Sequence, residues 1–539
     1  MKRKIFGRAA AAILLSTVLC LQAAASQPFT DYEYSTDNYN GLIASDEEQA
    51  NAKPAPAAFV YDDALTGARL GLDTPLSAPE DFTCDEEGNV YIMDTGNARI
   101  VMVDAALTRA VCVISGWGGG TTFEGGRGLY IRDGRLYVCL TTQKRIVAVD
   151  IPASLRESGA LPAEQDGMTV VSQEEGKPPV ITLEAGRVVE SPDLSAIRDT
   201  FDFKPTKVVA DRSERLYVVV EGIFDGLMTI DGDNAFVGFL GANRIQISAI
   251  DLLWRSLSTD AQIEAQEDTV PVEFNSLDID EEGFLYTTAK GSDSENLVRR
   301  LNLTGSDVLE RGTTYIKGEL SPLYNQGNPG SASNLVDIDV TDSGIYSCLD
   351  NQRGRIFTYS SEGDLLFVFG GISAQRGAFR VPTSVEWNGN KILVLDKGNN
   401  ELVVFRPTEY GDSVIRATRA QYEGGYGASW EEWGQVITLN PHNQTAHRNV
   451  GKLYYDQGNY EAAMEHFRLG NSPDLYSKAF AKQRKIDAEK IMPWVGAVLG
   501  AALLAFLIFQ LVRALRRSRD RWRFFREEVR KYNERSRKS

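Results

Sequence analysis

The side chains able to do chemistry are unevenly spread along this chain of 539 residues. Its three histidines, His442, His447 and His466, all lie beyond residue 440, so the stretch from 59 to 420 has no imidazole to act as acid, base or zinc ligand. No Gly-x-Ser-x-Gly elbow, phosphate-binding Gly-Lys loop or Cys-x-x-Cys pair occurs. What recurs instead is Asp, Asn and Arg in turns. Asp94, Asn97, Arg99, Arg145, Arg355 and Asp396 form a turn-and-strand set in which carboxylates and amides cap backbone N–H groups and the arginines anchor the following strand. Aromatic residues in or near loops offer faces on which sugar rings or peptides stack. Trp117, inside Ser115-Gly-Trp-Gly-Gly-Gly120, Phe224 and Trp254 are therefore the candidate ligand-binding residues.

These residues sit on a repeat. An acidic turn, often with Gly, precedes an alternating apolar run around Tyr91, Tyr137, Tyr217, Tyr286, Tyr346 and, in the sixth copy, Leu393. Gly supplies positive φ at the turn and the β-rich run after it is expected to form an inner strand. Arg99-Ile100, Arg145-Ile146 and Arg355-Ile356 open the strand after that, and Pro79, Pro205 and Pro382 mark the strand before it. Marks in constant order define a four-stranded blade, and six copies predict an all-β propeller of six blades. The marks are 46, 80, 69, 60 and 47 residues apart, so some blades carry insertions. The Gly/Glu/Pro-rich stretch 158–179 reads as an exposed loop and 245–266 as a short helical insertion. Phe59-Val-Tyr61 can pair with the last blade and close the ring. Cys139 and Cys348 occupy matching strand positions and read as small buried hydrophobes.

Both ends point to a membrane. Residues 1–25 have a basic start, an apolar run and a small-residue cleavage site, the pattern of a secretory signal peptide. Residues 491–512 are uncharged and, at about 1.5 Å per residue, long enough for a hydrocarbon core of about 30 Å. The tail, 513–539, carries twelve Lys/Arg against four Asp/Glu, which by the positive-inside rule places it in the cytoplasm and the rest outside. The whole chain is −17, the signal segment about +4 and the tail about +8, leaving about −29 between them. So acidic a segment excludes nucleic acid as a partner.

The Gly-x-Tyr unit with Asp94-Thr-Gly-Asn97-Ala-Arg99-Ile resembles an NHL repeat, a resemblance that covers about 360 residues and implies a six-bladed propeller. Gly451, Tyr454, Gly458, Tyr460, Ala463 and Phe467 resemble one tetratricopeptide repeat. The expected organisation is a signal peptide (1–25), a linker (26–55), the propeller (56–425), a tetratricopeptide-like helical stalk (426–490), a transmembrane helix (491–512) and a basic cytoplasmic tail (513–539). That order resembles membrane-anchored accessory proteins of carbohydrate ABC-transport systems in Gram-positive anaerobes. It implies a non-catalytic extracytoplasmic binding or scaffold protein at the cell membrane, with no cofactor, whose partners are a transporter subunit or a carbohydrate. An alternative follows from a resemblance to gluconolactonase-like propellers, which implies a divalent-metal lactonase or hydrolase. Calcium or magnesium would then take oxygen ligands from among Glu80, Asp81, Asp94, Asn97, Glu273, Asn275, Asp350 and Asp396. A surface sensor acting through a cytoplasmic partner is the third reading.

Overall fold

In the computed structural model the repeat unit builds a six-bladed β-propeller followed by helices. The structure describes residues 55–162, 167–192, 201–241, 273–289, 297–309 and 333–537. The expected signal peptide, nearly all of the linker and the expected helix at 245–266 lie outside the described residues. The chain divides into two compact units, Met1–His447 and Arg448–Ser539.

The first unit opens with β1 (Phe59–Thr66). Blade one then holds β2 (Asp81–Cys84), β3 (Val90–Asp94), β4 (Arg99–Val103) and β5 (Ala110–Gly116). Blade two begins with β6 (Gly126–Arg132), β7 (Arg135–Leu140) and β8 (Arg145–Asp150), and helix α1 (Ala153–Ser158) follows. Next come β9 (Met168–Ser172) and β10 (Val180–Leu183), and then β11 (Ala185–Glu190), which completes blade two. Blade three is β12 (Pro205–Ala210), β13 (Leu216–Val220), β14 (Leu227–Ile230) and β15 (Phe236–Leu240). Blade four shows β16 (Phe274–Ile279), β17 (Leu285–Ala289) and β18 (Val298–Leu301). Blade five is β19 (Leu335–Val340), β20 (Tyr346–Asp350), β21 (Arg355–Tyr359) and β22 (Leu365–Phe369). Blade six is β23 (Pro382–Asn388), β24 (Lys391–Asp396) and β25 (Glu401–Pro407), with β1 added at its outer edge.

The repeat has a physical basis. Asp85 Oδ1 accepts the N–H of Asn89 at 2.7 Å, and Asp85 Oδ2 accepts the hydroxyl of Tyr91 at 2.9 Å. Asp211 repeats this with Arg215 N–H at 3.0 Å and Tyr217 OH at 3.4 Å. An Asp six residues before a buried Tyr therefore closes the turn and satisfies the phenol at once. Tyr91, Tyr217, Tyr286 and Tyr346 are fully buried.

Two expectations are corrected. The Tyr strand is the second of its blade, not the inner one. It is the first strands β2, β6, β12, β16, β19 and β23 that meet one another around the axis, because each blade runs outward from there. The stretch 158–179 is not simply a loop, since β9 and β10 pair and β10 adds in parallel to β5, widening blade one to six strands. That detour accounts for the 80-residue gap between Tyr137 and Tyr217.

The ring closes through β1, which runs antiparallel to β25 from Phe59 opposite Pro407 to Thr66 opposite Glu401. Pairing strands from the two ends of the ring ties blade six to the start of the propeller. Phe59 fixes the register. Its ring stacks on Phe369 at 5.0 Å and meets Trp387 edge-on at 5.9 Å.

Helix α2 (Glu409–Tyr422) follows, capped by Thr408 Oγ1, which accepts Gly411 N–H at 3.2 Å. Its last turn lies over the hairpins of blades four and five, where Tyr422 OH donates to Glu282 at 3.5 Å and Gln421 to Glu362 at 3.4 Å. Helix α3 (Tyr426–Leu439) packs against it, and the Trp433 indole N–H bonds Gln421 at 3.2 Å. Helix α4 (Gln444–Asp456) leads into the second unit, where α5 (Tyr460–Leu469) pairs with α6 (Pro473–Ser536). Ala463, Phe467 and Ala479 form its small core, and Gly451 is required there because a Cβ would lie 2.7 Å from the Phe467 ring. Helix α6 is 64 residues long and holds one stretch long and apolar enough to cross a membrane, none of it buried.

Replacing Phe59 with Ala should cost about 3–5 kcal/mol, the usual range for a buried aromatic. Chemical denaturation of the variant should show the midpoint shifted with an unchanged slope. An unshifted midpoint would mean that β1 does not hold the ring closed.

Candidate functional site

The inner strand of a blade is an edge strand, so its backbone N–H groups on the axial side have no ladder partner. This sequence satisfies several of them with carboxylates of the preceding blade. Asp81 Oδ2 accepts Leu129 N–H at 2.8 Å and Asp337 Oδ2 accepts Val385 N–H at 2.8 Å. Asp278 accepts Val340 N–H at 2.8 Å, Asp339 accepts Trp387 N–H at 2.7 Å, and Glu386 accepts Cys84 N–H at 3.2 Å. Each acid reaches from one blade to the next, and Glu386 reaches from the sixth to the first.

A local backbone device aims these side chains. The pairing of first and second strands shifts by one residue immediately before Gly128, Lys207, Ser276, Asp337 and Ser384. Such bulges turn the next side chain. They bring one residue of each blade, with Asp81 from the first, to a common level.

At that level the axis is closed. Lys207 Nζ lies 2.7 Å from Asp81 Oδ1 and 2.8 Å from Asp337 Oδ1. Ser276 donates to Asp337 at 2.6 Å, and Ser384 Oγ lies 2.7 Å from both Asp81 and Asp337. Gly128 completes the ring because the neighbouring strand comes too close for a side chain, with Thr206 O 2.3 Å from where a Cβ would stand. Asp81, Ser276, Asp337 and Ser384 are fully buried. Burial pushes the Asp81 carboxyl up, with Asp337 adding to it against the pull of Lys207. Burial works against the Lys207 cation, yet the two carboxylates hold its pKa well above the usual lysine value. The cluster is therefore an Asp–Lys–Asp bridge with a net charge near −1, in which the loss of one partner leaves a buried charge unpaired.

One turn of pleat further along the strands, towards the hairpins, lies a second level with Asp278, Asp339 and Glu386. These are half-buried rather than sealed. Burial raises all three carboxyls. Asp278 is pushed up to about 6. Asp339 is held well above the ordinary range by burial and then by the charge of Asp278. Glu386 is raised by burial and then by Asp339 and Asp278. Asp278 and Asp339 lie on neighbouring inner strands and act on each other, each carboxyl held up first by burial. Cys84 nearby is likewise pushed up by burial and then by Glu386. Tyr130 borders this level, its hydroxyl 3.5 Å from Arg132. Carboxyls held above their ordinary range are groups that general acid–base chemistry uses.

Of the residues singled out by sequence, only Asp81 lies in this constellation. Asp94 accepts from Asn97, Arg99 and Ser77 N–H at 2.8, 2.7 and 2.7 Å, closing the turn at the outer side of its strand. Asp396 accepts the N–H groups of Arg380, Val381 and Gly398, and Asp350 those of Asn334 and Gln352. Arg355 is buried and donates to Gly370 O at 2.6 Å. Glu80 pairs with Lys397, Glu273 accepts Gly222 N–H at 2.7 Å, and Asn275 donates to Leu335 O at 2.7 Å. Among the described residues no group of three or more His, Cys, Asp or Glu is disposed to hold a metal ion. Trp117 follows the fourth strand of blade one, half-buried, with its N–H on Thr122 O at 3.1 Å and Arg145 5.8 Å over its ring. Phe224 is exposed on the loop after β13, and Trp254 lies outside the described residues.

Sequence reasoning missed Lys207, Ser276, Asp278, Asp337, Asp339, Ser384 and Glu386. A signal was present. Ser276-Leu-Asp278, Asp337-Ile-Asp339 and Ser384-Val-Glu386 each place two polar residues around one buried apolar residue, just ahead of a repeat turn.

No family profile and no curated protein matches this chain. Solved structures do share its fold. Virginiamycin B lyase from Staphylococcus aureus matches at 10% identity and a TM-score of 0.36, over 64% of this chain and 99% of that one. A luciferin-regenerating enzyme matches at 13% and 0.34, over 65% and 96%. The PQQ-bound aldose sugar dehydrogenase from Streptomyces coelicolor matches at 12% and 0.33, over 66% and 100%. At such identities the likeness shows the fold alone. These three neighbours are enzymes, so the expectation that the chain is non-catalytic is withdrawn: the fold gives it no support. Carboxyls donate and accept protons as imidazoles do, so the lack of histidine in the propeller does not by itself exclude acid–base chemistry.

Proposed function

We propose that this chain is a membrane-anchored, extracytoplasmic propeller that hydrolyses a small molecule at its axis by carboxylate acid–base chemistry. What supports the reading is that Asp278 and Asp339 stand on neighbouring inner strands with carboxyls raised by burial, beside the level closed by Lys207. In this scheme Asp278 takes a proton from an attacking water as the new C–O bond forms. Asp339 gives its proton to the leaving oxygen as the old bond breaks, and the pair returns to its starting state by exchanging that proton. Glu386, itself raised by burial and then by Asp339 and Asp278, completes the acidic level beside the pair. The order of modules, which resembles accessory proteins of carbohydrate uptake, supports a sugar-derived ester such as an aldonolactone, met at the membrane beside a transporter. The span at 491–512 and the basic tail support an anchor with the propeller outside.

The full-length protein in detergent, given a panel of sugar lactones in a pH-stat, should release acid. Asp339→Asn and Asp278→Asn should each lower kcat/KM by roughly 10²–10⁴-fold. The acidic limb of the wild-type rate profile should fall near pH 6, where Asp278 loses its proton. Turnover that is absent across the panel, or unchanged in both variants, overturns the reading.

The same carboxylate sets a pH dependence of stability. Its folded-state pKa of about 6 exceeds the ordinary 3.8, so between these values the native state holds more protons than the unfolded one. Stability from this group is then lost as pH rises through that window. Asp278→Asn should remove the effect. Its melting temperature relative to wild type should rise between pH 4.5 and 7.5, and a constant difference would show that the carboxyl is not raised.

A further inference from the structure

The end of α6 carries a pattern that the propeller does not use. Leu515, Trp522 and Val529 recur every seven residues, and Phe525 and Tyr532 fall three residues after Trp522 and Val529. On a helix this spacing makes one continuous stripe. Trp522 and Phe525 do meet, edge-on, at 6.3 Å. All five side chains are exposed, Trp522 by 63% and Phe525 by 60%. Arg516, Arg519, Arg523, Arg526 and Arg530 follow each other at spacings of three or four and form a second stripe alongside the first. Asp520, Glu527 and Glu534, every seven residues, form a third on the far side. The aromatic stripe is thus bordered by basic residues, Arg519 and Arg526 on one side and Arg521 on the other, while Phe524 stands on a different face beside Asp520.

Two occupants could cover such a stripe. A second copy packed in parallel along it would set Arg521 of one helix against Arg526 of the other, with no acid to offset them. A leaflet of anionic lipid fits instead. The aromatics enter the acyl boundary, the arginines meet phosphate headgroups, and the acids face water. The stripe also begins within a few residues of the apolar stretch that is long enough to span the bilayer.

We propose that residues 513–536 are a docking surface for the anionic lipid leaflet that borders the membrane span. This rests on the anchored reading given above. Helix α6 is unbroken, and at 1.5 Å per residue Tyr532 would stand about 30 Å beyond Val512. Seating on the leaflet therefore takes a bend between Arg513 and Ser518, where every side chain is exposed and none packs on a neighbouring element.

The test uses the full chain in vesicles whose acyl chains are brominated and quench tryptophan on contact. The Trp522 signal is read as the difference from Trp522→Phe, and that of Trp494, at the edge of the span, as the difference from Trp494→Phe. Trp522 should be quenched in phosphatidylglycerol-rich vesicles and several-fold less in phosphatidylcholine alone. The same loss should follow when Arg519, Arg523, Arg526 and Arg530 are all replaced by Gln. Trp494 should be quenched throughout, and its failure to be quenched anywhere would overturn the span itself. With Trp494 quenched, a Trp522 that stays unquenched in anionic vesicles, or is quenched equally in both lipids, overturns the lipid surface. So does a Trp522 shielded from both lipid and aqueous iodide, which would mark a second copy.

Discussion

Every blade of this protein starts on an edge strand, and the N–H groups of that strand on the axial side need acceptors. The propeller meets this need with carboxylates reaching across from the neighbouring blade, at Asp81, Asp278, Asp337, Asp339 and Glu386. The choice has a consequence. Carboxylates concentrated in one narrow channel repel each other and lose hydration, so a cation or protons must offset them. At the first level Lys207 does so, and at the second the acids keep protons. The demand for inter-blade hydrogen bonds thus produces both the plug at the axis and the group of raised carboxyls beside it.

Ring closure is the second half of the same constraint. The axial level assembles only if six inner strands arrive at one height, which the bulges before Gly128, Lys207, Ser276, Asp337 and Ser384 arrange. It stays assembled only if blade six stays beside blade one. Pairing of β1 with β25, locked by Phe59 among Phe369, Phe367 and Trp387, supplies that. The Ser384 contacts to Asp81 and Asp337 then tie blade six to blades one and five at the axis.

The second unit follows different physics. Its small core around Phe467 holds one end of a helix that elsewhere has no protein neighbour among the described residues. Its exposed side chains form first an apolar stretch and then an aromatic stripe bordered by arginines.

The local parts of this architecture were legible in the sequence. The blade unit could be read because an Asp, a turn and a Tyr lie within seven consecutive residues, as in Asp85 to Tyr91, and act through nearest-neighbour hydrogen bonds. The count of six and the long apolar helix are likewise patterns within short windows. Two readings failed for the opposite reason. Whether the Tyr strand or the strand before it is innermost depends on how blades pack, and the parallel addition of β10 to β5 joins segments more than sixty residues apart. The axial site is the extreme case. Lys207 meets Asp337 across 130 residues and Asp81 across 126, and Ser384 meets Asp81 across 303. In sequence Asp81, Asp337 and Ser384 each sit in a polar–apolar–polar alternation that reads equally well as a solvated strand face. Only the closed ring turns those isolated residues inward to a shared axis, and the low dielectric there converts ordinary carboxylates into proton holders.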